Sequence, residues 1–103
     1  MGRRGGLASG TRNGLTGQAK RDACVAYIWI DITVRHDAGA MSDQAYSNQK
    51  MRILNELYTT RGSMVPRGTV NRIQKAGDAI LAEDPSVEEV AGQADVCRSF
   101  LRL

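Results

Sequence analysis

Apolar and polar residues alternate along the segment between Val25 and Arg35. The alternating positions are Ile28, Ile30, Ile32 and Val34 on one side, and Tyr27, Trp29, Asp31, Thr33 and Arg35 on the other. A period of two with β-branched residues on one side is typical of a half-buried strand. We therefore predict a β-strand over residues 25–35, which His36-Asp37-Ala38-Gly39 ends.

Downstream of this segment, apolar residues recur three and four positions apart, which is the spacing of helices that bury one face. The pattern predicts three helices, over residues 43–61, 68–83 and 86–101. Ser42 is positioned to cap the first helix, and Arg61 followed by Gly62 is a stop signal at its end. Ser86 and Glu89 have the spacing of a capping box at the start of the third helix.

The predicted order of arm, strand and three helices gives a small α+β domain that is mostly helical. A single strand leaves its backbone donors and acceptors without a neighbour. It could pair with the arm that precedes it or with a second chain. The strand–helix–helix order resembles that of the ribbon-helix-helix proteins in topology. That resemblance implies a homodimer whose paired strands enter the major groove of DNA.

Charge divides the chain into a basic arm, residues 1–21, and a mildly acidic domain, residues 22–103. The arm has no Asp or Glu, six glycines and five cations, which are Arg3, Arg4, Arg12, Lys20 and Arg21. The rest of the chain has nine Lys and Arg against eleven Asp and Glu. Such an arm buries too little apolar surface to order itself, so we expect it to gain order on a polyanion or a partner protein. A solubilising tail is the alternative.

A short stretch from Val65 to Ile73, VPRGTVNRI, locally resembles the recognition-helix region of helix-turn-helix repressors. The resemblance implies that Val70 and Ile73 are buried. The residues that it turns toward DNA are Arg67, Thr69, Asn71 and Arg72. Upstream the chain departs from the pattern, because Thr60 and Met64 stand where the motif has a small residue and a turn glycine. An ordinary helical hairpin is the alternative.

Catalytic and metal-binding chemistry is poorly represented. His36 is the only histidine and lies beside Asp37 in a predicted turn. The arm glycines match neither phosphate-binding nor dinucleotide-binding motifs. We predict that the protein is not an enzyme and has no metal or cofactor.

Cys24 and Cys97 lie 73 residues apart and form no CxxC pair, so we interpret both as small buried apolar residues. No apolar run approaches the length of a membrane span. We expect a cytoplasmic protein, or one in the host cytoplasm or the virion if it is viral.

Taken together, these patterns favour a regulatory nucleic-acid-binding protein that acts as a homodimer on DNA rather than RNA. The alternative is an accessory protein, inhibitor or structural component of a larger assembly such as a virion or ribonucleoprotein. In that case Tyr27 and Trp29 are the expected partner-binding residues, since aromatic side chains anchor protein interfaces.

Overall fold

A computed structural model describes residues 17–59 and 64–103, and this part of the chain is entirely helical. The helices are α1, Gly17–Asp37; α2, Asp43–Tyr58; α3, Thr69–Leu81; and α4, Val87–Leu101. The first five residues of α1 belong to the segment predicted as arm, and residues 1–16 lie outside the described residues. Each of the other three helices packs on α1, which is the centre of the fold.

The predicted strand over residues 25–35 is wrong, and with it the α+β fold class, because these residues form the middle of α1. The large buried side chains of this stretch follow a helical spacing, namely Cys24, Val25, Ile28, Trp29 and Ile32. Ala26 and Asp31 are buried as well. The alternation arose because α1 is covered on several sides, so that apolar residues also occupy positions between its main contacts. Without a strand, the ribbon-helix-helix resemblance and its reason for a homodimer no longer apply.

The three predicted helices are present, with ends within three residues of the expected ones. Ser42 caps α2 by accepting a hydrogen bond from the Ala45 backbone nitrogen at 3.1 Å. The capping box of α4 is also confirmed, since Glu89 N donates to Ser86 Oγ at 3.1 Å and Ser86 N donates to Glu89 Oε1 at 2.8 Å. The expected stop signal at Arg61 and Gly62 lies outside the described residues.

α2 and α3 do not form a helix-turn-helix unit. Both pack on α1 and share little contact with each other, and the connection between them runs from residue 59 to 68. A helix-turn-helix needs a turn of three or four residues and a close crossing of its two helices. The stretch from Val65 to Ile73 therefore consists of a short connection and the first residues of an ordinary amphipathic helix.

A disulfide bond joins Cys24 of α1 to Cys97 of α4, with the two Cα atoms 5.1 Å apart. The interpretation of both residues as unbonded apolar side chains is therefore wrong in chemistry, although both are buried as expected. Their separation in sequence hides a close approach, because α4 returns to pack on the first half of α1. The bond closes most of the chain into one loop.

We predict that replacing both cysteines, Cys24→Ala with Cys97→Ala, lowers the free energy of unfolding by about 2–4 kcal/mol, because opening so long a loop frees the unfolded chain. Urea unfolding followed by the fluorescence of Trp29, the only tryptophan, measures the change. The wild-type protein in a strong reductant should match the double variant, which itself should not respond to reductant. A wild-type midpoint indifferent to reductant would contradict the prediction.

Candidate functional site

The predicted nucleic-acid-binding residues are partly used inside the fold. Thr69 is fully buried, whereas Arg67 and Asn71 are exposed. Lys20 lies with its Nζ 4.4 Å from the centre of the Phe100 ring. Arg3, Arg4 and Arg12 lie outside the described residues. Among the predicted cations that the structure describes, Lys20, Arg21 and Arg67 are exposed and Arg72 is half-buried.

Asp22 of α1 forms hydrogen bonds to one residue of α2 and one residue of α3, and it therefore links three helices. Its side chain is buried, and it accepts hydrogen bonds from Tyr58 Oη at 2.6 Å and from Arg72 Nε at 2.9 Å. Burial, together with the hydrogen bond to Asp22, raises the pKa of Tyr58 well above its usual range. Arg72 is thus an internal ion-pair partner, which weighs against a role in reading DNA bases.

Arg21 is also held by the fold. Its Nη1 donates to the Leu57 carbonyl oxygen at 3.2 Å, and its guanidinium lies 5.7 Å from the centre of the Tyr58 ring. These contacts close the end of α2 over the start of α1. They position Arg21 at the edge of the Asp22 cluster and leave only part of its guanidinium for a ligand.

A second buried carboxylate, Asp31, fixes α4 on α1. Its Oδ2 lies 2.9 Å from Arg98 Nη2 and 3.2 Å from Arg35 Nη2, and Arg98 also donates to Asp95 at 3.1 Å. Two arginines compensate the buried carboxylate, and removing Arg98 would leave it only the more exposed Arg35. Both buried aspartates are therefore structural residues, and nothing in the sequence pattern singled out their partners.

Tyr27 and Trp29 do not share a face, because residues two apart in a helix project in nearly opposite directions. Tyr27 is half-buried in a groove between α1, α3 and α4, whereas Trp29 is 8% exposed and lies on the α2 side. Because α1 places Tyr27 and Trp29 on different sides, the two residues do not form one partner-binding surface. Each instead lines a different groove.

The groove beside Tyr27, here called the acidic groove, has a volume of about 990 Å³. Small residues form much of its walls, namely Ala19, Ala23, Ala76, Ala79 and Gly92. Glu83, Glu88 and Glu89 also line it, and no Lys or Arg is among the described residues of its lining. Among the described residues, Glu83 and Glu88 form no ion pair.

The second groove, here called the Lys50 groove, lies between α1, α2 and α3 and has a volume of about 320 Å³. Its walls are mainly apolar, and Lys50 is the only cation among the described residues that line it. The described residues contain no cluster of three or more metal-ligating side chains.

His36, considered above as part of a turn, lies between two carboxylates. Its Nε2 is 2.5 Å from Asp43 Oδ1, its Nδ1 is 3.3 Å from Asp37 Oδ1, and its ring stacks on Tyr46. Asp43 and then Asp37 raise the pKa of His36 above 6.5. This arrangement stabilises the junction of α1 and α2 and has no nucleophile beside it among the described residues.

Comparison with known proteins gives no match to a family model, a curated protein or a solved structure. Within the described part of the chain, no helix is both long and apolar enough to cross a membrane.

We predict that the His36 ion pairs stabilise the protein below about pH 6.5 and that this contribution disappears as the pH rises through the raised pKa of His36. The protonated imidazole is the form that the folded state favours, so stability falls with rising pH. Urea midpoints at pH 6.0 and 8.5 measure the difference. His36→Gln should reduce the difference between the two urea midpoints. An unchanged difference in that variant would refute the attribution of this pH dependence to His36.

Proposed function

We propose that this protein is a non-enzymatic binding protein which holds a basic segment of a partner protein in the acidic groove. The observation that carries the proposal is the pairing of a large, small-residue groove with two carboxylates, Glu83 and Glu88, that no cation of the described residues neutralises. Small walls let the backbone of a helix or an extended chain approach closely. Opposite charge then selects a cationic partner.

The acidic residues at the start of α4 also stabilise the helix itself, whether or not the groove binds a partner. Glu88 and Glu89 lie in the first turn, where negative charge stabilises a helix. Glu83 has no such role, because it follows the end of α3 and lines the opposite wall. Two helices therefore contribute charge of the same sign to one groove, and this supports recognition of a cation.

The disulfide bond supports an oxidising compartment as the place of action, in contrast to the cytoplasmic location expected from the sequence. Structural disulfides persist in secreted, periplasmic and surface proteins and are rare in the cytosol. Cys24 and Cys97 are both buried and bonded, as in a bond that serves stability. A small binding protein in such a compartment benefits from a covalent link that compensates for its modest core.

We predict that Glu83→Gln and Glu88→Gln each weaken binding of a basic peptide by about two- to five-fold, the size of one exposed ion pair. The probe is a fluorescein-labelled, alanine-rich helical peptide with lysines four residues apart, followed by anisotropy at low salt. Glu56→Gln is the matched control, because Glu56 lies on α2 beside Arg52. Equal losses in all three variants would show only a general charge effect.

A steric variant tests the same groove without changing charge. A Cβ at Gly92 meets nothing within 4 Å, so Gly92→Leu projects into the groove and favours the helix. We expect it to leave stability unchanged or raised and to abolish peptide binding. Unaffected binding would place the peptide elsewhere and defeat the proposal.

Nucleic-acid binding is the second candidate, and one observation favours it. The first turns of α1 and α3 contain no acidic residue, so the positive ends of both helix dipoles remain uncompensated near Lys20 and Arg67. The basic arm leads directly into α1. These cations could bind phosphates of DNA or RNA, and Arg67 and Asn71 are the remaining candidates for base contacts.

We predict that, if this second function operates, replacing Arg3, Arg4 and Arg12 with Gln reduces the slope of log affinity against log salt by about 2–3. Anisotropy of labelled duplex and single-stranded oligonucleotides measures the slope for the full chain. Arg52→Gln, which removes an exposed cation of α2, is the control substitution. No binding to either oligonucleotide at low salt would eliminate this candidate.

A further inference from the structure

Lys50 occupies an unusual position for a lysine, over two aromatic rings and at the edge of an apolar groove. Its Nζ lies 4.6 Å from the centre of the Trp29 ring and 4.9 Å from that of Tyr46. Its only described hydrogen bond is to Tyr46 Oη, at 3.5 Å. The lysine is half-buried, and its ammonium has no carboxylate partner among the described residues.

The acidic residue in the described lining of the groove does not supply that carboxylate. Asp78 lines the same groove but forms no ion pair with Lys50. The rings attract the ammonium through their negative faces, which holds it at the groove without neutralising it. A full positive charge is therefore fixed beside apolar walls, and an anion with an apolar body would complement both.

The walls of the Lys50 groove are built for an apolar ligand. Ile30, Val34 and Leu81 line it, and Leu81 is 54% exposed there. A smaller groove of about 260 Å³ adjoins it, also lined by Trp29 and Lys50. The exposed side of Leu81 continues the apolar wall that Ile30 and Val34 form, and this wall favours an apolar ligand.

Trp29 adds an independent observation. Its indole nitrogen is buried and is the only buried side-chain polar atom of the described residues that lacks a hydrogen-bond partner. Such an orphan donor costs about 1–3 kcal/mol. The nitrogen itself is shielded from solvent, but the Trp29 ring lines both grooves and is therefore sensitive to what occupies them.

We propose that the Lys50 groove binds a small amphiphilic carboxylate, with its carboxylate paired to the Lys50 ammonium and its apolar body against Ile30, Val34 and Leu81. A volume of 320 Å³ is at the lower end of ligand sites and corresponds to roughly ten non-hydrogen atoms. Free medium-chain or aromatic acids have this size and chemistry. The site uses no residue of the acidic groove and is independent of the proposed partner binding.

Octanoate, with ten non-hydrogen atoms, is the probe, and Trp29 is a built-in reporter because it is the only tryptophan. We expect a saturable change in its fluorescence and in the single indole N–H resonance, with a Kd near or below about 1 mM for a ligand of this size. Octanamide has the same shape without the charge. It should bind about tenfold more weakly, because it makes no charged pair with Lys50.

Lys50→Met keeps the apolar stem and removes the charge, so octanoate and octanamide should bind this variant equally. Lys75→Met is the matched control, since Lys75 is exposed on α3 and does not line the groove. Glu88→Gln should leave octanoate binding unchanged, which separates this site from the acidic groove. Equal binding of octanoate and octanamide to the wild-type protein would overturn the proposal. So would the absence of a saturable change in Trp29 fluorescence at octanoate concentrations up to about 10 mM.

Discussion

Three helices pack against one, so α1 must satisfy a different neighbour on each of its faces. Val25, Ile28 and Ile32 are almost completely buried along it, and apolar burial of this kind is the main favourable contribution to folding. Apolar packing alone does not fix where each neighbour lies along α1. Specific bonds do, since Asp22 binds α2 and α3, and Asp31 and the Cys24–Cys97 disulfide bind α4. The register of the described helices therefore depends on α1, its two carboxylates and this disulfide.

The segment 25–35 shows why this centre was misread from sequence. The segment does alternate between β-branched and other residues, but the same segment also contains the helical spacing of Val25, Ile28, Trp29 and Ile32. A helix covered on several faces has apolar residues almost continuously, and such a run has no single period. By contrast, α2, α3 and α4 each cover α1 with one face and keep the other in water. Their periodicity and caps were therefore readable, and their limits were predicted closely.

The candidate sites were predictable only where local sequence determines them. Ser42 and Ser86 act within one turn of their own helices, so their caps could be recognised. The pairs of Asp22 with Arg72 and of Cys24 with Cys97 join residues 50 or more positions apart. Only the packing of helices brings such residues together, and no pattern of a single sequence encodes it. The same holds for the grooves, which form where three helices leave a gap.

The disulfide bond affects the two grooves differently, and this follows from which helices build them. The acidic groove has α3 on one side and α4 on the other, with α1 beneath. Cys97 holds α4 to α1 at the level of Cys24, next to Ala23 of the groove floor. The Lys50 groove contains residues of α1, α2 and α3 only. Covalent restraint of α4 thus preorganises the acidic groove, whereas the Lys50 groove depends on the Asp22 cluster that joins its three helices.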